Sequence, residues 1–176
     1  MFISLKTSLN VMFGFIPLIL FWSIPNELGL ILGLLSALII FIKNILNKNV
    51  GIMCCVLLAY FTISNILYFY FKIHFTQNHR YLISYIILAL MGFISIIISK
   101  PYTMYEAKNS YKKGFEKSPL FIEVNILITK IWSIIYLFNA IMELTAHNAI
   151  TVLIINILII LGIVLSITIP GMFPET

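Results

Sequence analysis

Polar residues are rare in this chain, and the long apolar runs between them set its pattern. Three runs, residues 50–71, 81–99 and 150–170, approach or exceed the roughly 20 apolar residues that cross about 30 Å of hydrocarbon. A fourth, residues 120–146, is long enough but holds Lys130 within it and Glu143 near its end. The first 45 residues carry two shorter runs, 11–24 and 28–42, separated by the turn signal Pro25-Asn26-Glu27. Pro17 lies inside the first of these, where it removes a backbone bond and kinks a helix. Two tilted helices joined by a tight turn is the preferred reading, and a re-entrant first segment is the alternative. The expected fold is all-α: one integral membrane domain over residues 1–176 with about six transmembrane helices, the first short, kinked or re-entrant. The two triplets of runs share no spacing or motif, so no internal repeat is seen. Lys6 and the run 11–24 imitate a signal peptide, but no A-x-A-like site follows, and the segment is expected to be retained.

Composition fixes the class. Of the 176 residues, 61% are hydrophobic and 10% charged, against about 25% charged in soluble domains. Mean hydropathy is +1.08. These values exclude a soluble enzyme, a nucleic-acid-binding module and a disulfide scaffold. Cys54 and Cys55 are adjacent within an apolar run and are expected to be buried small hydrophobes.

Charge then orients the chain. The net charge is +5, and all six acids are Glu. Eight of the eleven Lys and Arg fall on one side of the runs: Lys6, Lys43, Lys48, Lys100, Lys108, Lys112, Lys113 and Lys117. Lys72 and Arg80 fall on the other. This bias predicts that both termini and the basic loop 100–119 are cytoplasmic.

The fifth run carries the most information. Asn125, Thr129, Trp132, Tyr136, Asn139 and Glu143 follow spacings of 4, 3, 4, 3 and 4, which puts all six on one helix face. The opposite face is Ile, Leu and Phe. Such a polar stripe belongs in a bundle interior or beside water. One reading is a sealed seam against the third and sixth runs, with Asn65 and Asn156 answering it. The other is a small wet pathway with Glu143 at its mouth. Lys130 is expected to snorkel toward the cytoplasmic interface.

Small residues mark packing faces. Gly29, Gly33 and Ala37 stand four apart, as an internal packing face or a homodimer seam. Similar sets are Gly51, Cys55, Ala59 and Thr62; Ser84, Gly92, Ser95 and Ser99; and Asn156, Gly162 and Ser166. Each is expected to serve as contact between helices.

The loop 100–119 interleaves Lys100, Lys108, Lys112, Lys113 and Lys117 with Tyr102, Tyr105, Tyr111 and Phe115. It reads as a positive-inside anchor, or as a dock for anionic lipid headgroups or a cytoplasmic partner. Nucleic acid is not an expected partner, because no base-stacking fold surrounds these residues. His74, His79 and His147 lie in or beside the opposite loops, with no pair at haem-ligand spacing inside a run. No H-E-x-x-H, G-x-S-x-G or P-loop occurs. No catalytic residue, metal site or cofactor is expected.

Three segments carry a family likeness: Phe15-Ile16-Pro17-Leu18-Ile19-Leu20-Phe21, Lys100-Pro101-Tyr102-Thr103-Met104-Tyr105, and the entry of the fifth run from Asn125 to Trp132. In these, and in the spacing of its runs, the chain resembles the intracellular septation protein A family of bacterial inner-membrane-spanning proteins, also called YciB. The likeness covers roughly residues 11–45 and 81–166. It departs at Glu143, in the polar loop 72–80 and in the third run. The resemblance implies a bacterial inner-membrane protein acting in envelope maintenance or cell division through other membrane proteins. That family has no established catalytic site, so no catalytic residue carries over. The alternative is a small transporter, or the substrate-binding membrane subunit of one, since six helices in this length also suit the vitamin-binding subunits of energy-coupling-factor transporters.

Overall fold

A computed structural model describes residues 13–108, 114–145 and 148–172. Lys6, Tyr111, Lys112, Lys113, His147, both termini and the first residues of the run 11–24 lie outside the described residues. Among the described residues every regular element is helical: α1 (Ile16–Ser23), α2 (Asn26–Leu46), α3 (Ile52–Asn65, continued by a π-helical turn Ile66–Tyr70), α4 (Phe75–Asn78), α5 (Arg80–Ile97), α6 (Tyr102–Lys108), a 3₁₀ turn Phe115–Lys117, α7 (Pro119–Thr145) and α8 (Ala149–Met172). Five helices are long and apolar enough to cross a membrane: α2, α3 with its π turn, α5, α7 and α8. The chain is a multi-pass helical membrane protein.

The first run takes the short form that its expectation allowed. Its described helix, α1, has eight residues and spans about 12 Å, too short to cross hydrocarbon. Phe13 and Gly14 ahead of α1 are also helical, and Phe15, between them and α1, is a turn residue with helical φ and ψ. Pro17, in the first turn of α1, thus stands at a break between two helical pieces, where its missing N–H is expected to kink the chain. The second run is longer than its apolar stretch suggests, because Asn26 and Lys43 to Leu46 continue the helix at both ends.

α5 and α7 pair most extensively and form the centre. α1, α2 and α3 pack as successive hairpins on one side, and α8 packs on α7 at the other. The close α5–α7 approach depends on Gly92, where a Cβ would overlap the Ser133 hydroxyl. Lys48 and Ser99 follow α2 and α5 with positive φ (52° and 56°). Both reverse the chain through the backbone bonds of a left-handed helix cap, Asn49 N–H to Asn44 O and Lys100 N–H to Ser95 O, each 2.9 Å.

Of the small-residue faces, that of the second run takes the first of its two expected roles, and that of the third run is placed differently. Gly29, Gly33 and Ala37 are all buried within the chain. A Cβ at Gly33 would run into the Phe61 ring, and one at Gly29 into the Ile24 carbonyl. This face is therefore filled from within and is not a seam between two copies. Of the third run's stripe only Gly51 is buried; Cys55, Ala59 and Thr62 are exposed. The core side of α3 is instead Met53, Cys54, Leu57, Tyr60, Phe61, Ser64 and Asn65. So Cys54 is the buried cysteine, and Cys55 faces outward.

Candidate functional site

The polar face of α7 forms as its spacing predicts. Asn125, Thr129, Trp132, Tyr136 and Asn139 are buried, and Glu143 is half-buried at the end of the row. The opposite face, with Leu127, Ile134, Leu137, Phe138 and Ile141, is exposed. What meets the row differs in part from expectation. α5 and α6 meet most of it, the sixth run meets it at Trp132 as expected, and the third run supplies none of its hydrogen-bond partners among the described residues. Asn65 turns the other way and donates to the Leu30 carbonyl of α2 at 3.1 Å and to its own Phe61 carbonyl at 2.8 Å. Asn156 is exposed and donates to Val152 of its own helix.

The segment expected to be a basic loop supplies the cover. After Ser99 the chain turns back, and Pro101, Tyr102 and Thr103 are buried. Thr103 donates to the Asn125 carbonyl at 3.1 Å, and its oxygen lies 2.9 Å from the Thr129 hydroxyl. Thr103 has one proton, so Thr129 is the donor in that second bond. Tyr102 takes its own backbone bond to Ser95 Oγ at 3.3 Å and lies beside Tyr136. Asn49 Nδ2 donates to the Tyr105 carbonyl at 3.2 Å, and Tyr105 packs on Gly51, tying α6 to the start of α3. α6 thus closes one end of the polar row. Its lysine, Lys108, points outward, as do Lys100 and Lys117. Lys108 and Lys117 lie near Glu116, whose carboxylate accepts its own N–H and that of Gly114 at 2.7 Å. Those bonds come first, and the two lysines second, in holding Glu116 below the usual carboxylate range.

Further along α7, Ser133 donates to the Thr129 carbonyl at 2.7 Å. Trp132 Nε1 donates to Ser166 of α8 at 2.8 Å, and its ring stacks on Tyr136 with centroids 5.3 Å apart. Phe15, just before α1, also packs near Tyr136, at 6.3 Å between centroids. Asn139 is wholly enclosed, at 0% exposure, and neither its Oδ1 nor its Nδ2 has a hydrogen-bond partner among the described residues. Beyond it, Glu143 lies near Tyr85.

A second polar node, which sequence reasoning missed, joins α1, α3 and α5. Ser84 donates to the Arg80 carbonyl at 2.6 Å, so its oxygen accepts from Tyr60 at 3.2 Å and from Trp22 Nε1 at 3.3 Å. Arg80 itself donates to the Phe21 and Ile24 carbonyls at 3.2 and 3.3 Å and stands 5.7 Å over the Phe21 ring. It caps the C-terminal end of α1, where carbonyls lack helix partners and the dipole favours a cation. The signal was available in the sequence: Arg80 is the chain's single arginine, set beside an apolar run. The Thr103 contact also had a trace, in the Pro101-Tyr102-Thr103 segment.

Among the described residues no three His, Cys or Glu gather as a metal site. His74 and His79 pack against the rings of Tyr68 and Phe75. Comparison with known proteins finds no matching family model, curated protein or solved structure.

Proposed function

We propose that this chain is a non-enzymatic protein of the bacterial cytoplasmic membrane that supports envelope maintenance or septation by contacting other membrane proteins. The single observation behind this reading is the closure of the α7 face. A solute path needs a wet, continuous polar surface, whereas Asn125, Thr129, Tyr136 and Asn139 are covered by α5, α6 and α1. The lysine-rich end carries Lys43, Lys48, Lys100, Lys108 and Lys117 and is assigned to the cytoplasm by the positive-inside rule. Its exposed lysines suit anionic headgroups and acidic partner surfaces, at about 1 kcal/mol per lysine near an anionic leaflet. The resemblance to the septation protein A family supplies the cellular setting.

A second reading, a small transporter or binding subunit, has one observation in its favour. The amide of Asn139, without a partner among the described residues and with half-buried Glu143 one turn beyond it, is where an opening of the bundle would offer hydrogen bonds. Cysteines placed at Tyr136, Asn139 and Glu143, in a background lacking Cys54 and Cys55, separate the two. A membrane-impermeant thiol reagent added from outside should label position 143 quickly and the other two slowly. Rapid labelling at 136 and 139, blocked by a small solute, would replace the contact reading with transport. Photocrosslinkers at Lys100, Lys108 and Lys117 then identify what the lysine-rich end touches.

A further inference from the structure

α8 is the most apolar span, with mean hydropathy 3.0, and the least buried. It packs on α7 through Gly162, which sits under Trp132 and Ile135. Its outward side carries Ala149, Leu153, Asn156 and Ile160, all exposed and spaced 4, 3 and 4 apart. That is the spacing of a seam between two helices crossing at a shallow angle. Ile157 and Val164 flank it, also exposed.

Asn156 is out of place on this surface. It stands seven residues into a helix of 24 residues, about 10 Å from its start. A helix of about 36 Å overhangs 30 Å of hydrocarbon by about 3 Å at each end, so the amide lies about 8 Å inside the apolar layer. A side chain this short does not reach the interface, as Lys and Arg do. The hydroxyls of half-buried Ser36 and exposed Thr168 have their one proton met by carbonyls three and four residues back. The Asn156 amide has more to satisfy. One N–H goes to Val152 O at 2.8 Å, and among the described residues the second N–H and Oδ1 have no partner. Hydrocarbon offers nothing to either.

We propose that this face of α8 binds a second copy of the chain, with the two Asn156 amides bonding each other across a twofold axis normal to the membrane. An amide carries a donor and an acceptor, so two copies in the same orientation complete one another without any other partner. The 4-3-4 row supplies apolar contacts above and below the pair. The inference does not depend on the closed face of α7, which lies on another side of the bundle.

The test uses the full chain in lipid vesicles, labelled for energy transfer between copies and diluted with lipid. The wild type should show a dimer that dissociates on dilution. Asn156→Leu should weaken it by about threefold to twentyfold, the worth of interhelical hydrogen bonds in membranes, and Asn156→Gln should retain most of it. In a background lacking Cys54 and Cys55, Ala149→Cys and Leu153→Cys should give oxidative dimers, and Phe138→Cys on the exposed side of α7 should not. A wild type monomeric at every dilution, an unchanged constant for Asn156→Leu, or crosslinking at 138 in place of 149 and 153 would each overturn the proposal. Asn156 faces lipid in the single chain, so its loss leaves the fold intact, and an unchanged thermal unfolding curve verifies this.

Discussion

At the scale of single residues, the polar groups of the spans divide into those that are paid in hydrogen bonds and those that are not. Asn125, Thr129, Ser133 and Trp132 all have partners: the Asn125 amide and the Ser133 hydroxyl bond carbonyls of α7 itself, and Thr129 and Trp132 bond Thr103 and Ser166. Asn139 differs, because both of its amide atoms are buried without one among the described residues. Asn139→Leu, similar in volume, should therefore raise stability in detergent by about 1–3 kcal/mol, read as a higher midpoint of thermal unfolding. A lower midpoint would show that the amide is bonded in the folded protein, to water or to a solute, and would favour the transport reading. Gly92 tests packing at the same scale. Gly92→Ala places a methyl against Ser133 Oγ and should cost about 1–3 kcal/mol. Ser133→Ala clears that space, so the double variant should lose less than the sum of the two single losses. Simple additivity would mean that the α5–α7 approach is set elsewhere.

Elements were legible where length and polarity agreed, and illegible where the chain is apolar all round. The buried side of α7 follows from six polar positions at helical spacing, and the structure places that side inward. The helix opposite it does not follow, because α3, α5 and α8 each offer small residues and Asn or Ser, and periodicity carries no partner's name. Hence Asn65 meets α2 and Asn156 bonds no other element among the described residues, contrary to expectation. α6 was hidden for another reason: its inward residues Tyr102, Thr103 and Ala107 span less than two turns, too few for a period. α1, at eight residues, is too short to be stable on its own. Its attachment runs through α5: Arg80 on its last carbonyls, Tyr81 on the Trp22 carbonyl at 3.2 Å and Ser84 on the Trp22 indole. Arg80→Met keeps the stem and loses both charged bonds. It should destabilise α1 by about 2 kcal/mol and shift Trp22 fluorescence as α1 loosens, with Trp132 replaced by Phe to isolate the signal. Unaltered Trp22 emission would place the anchor of α1 in its apolar contacts with Phe61 and Tyr60.

For the whole molecule, the alternation of five crossing helices fixes which residues share an end. Lys43, Lys48, Lys100, Lys108 and Lys117 fall at one end together with Met172, the last described residue of α8. Lys72, Gln77 and Arg80 fall at the other, and Arg80 is already committed to the carbonyls of α1. The free basic charge is thus more one-sided in the fold than in the sequence. Lys and Arg in short loops and near span ends set the orientation of a multi-pass chain, so insertion with the five lysines outside is disfavoured. Single cysteines at Lys108, Lys117 and Gln77, again without Cys54 and Cys55, report the result directly. In intact cells an impermeant thiol reagent should label position 77 and spare 108 and 117, and opening the cells should expose the latter two. Labelling of 108 and 117 from outside would invert the map. It would take the lysine-rich end away from any cytoplasmic partner, and the closed face of α7 would then have to be read with its α6 cover facing out.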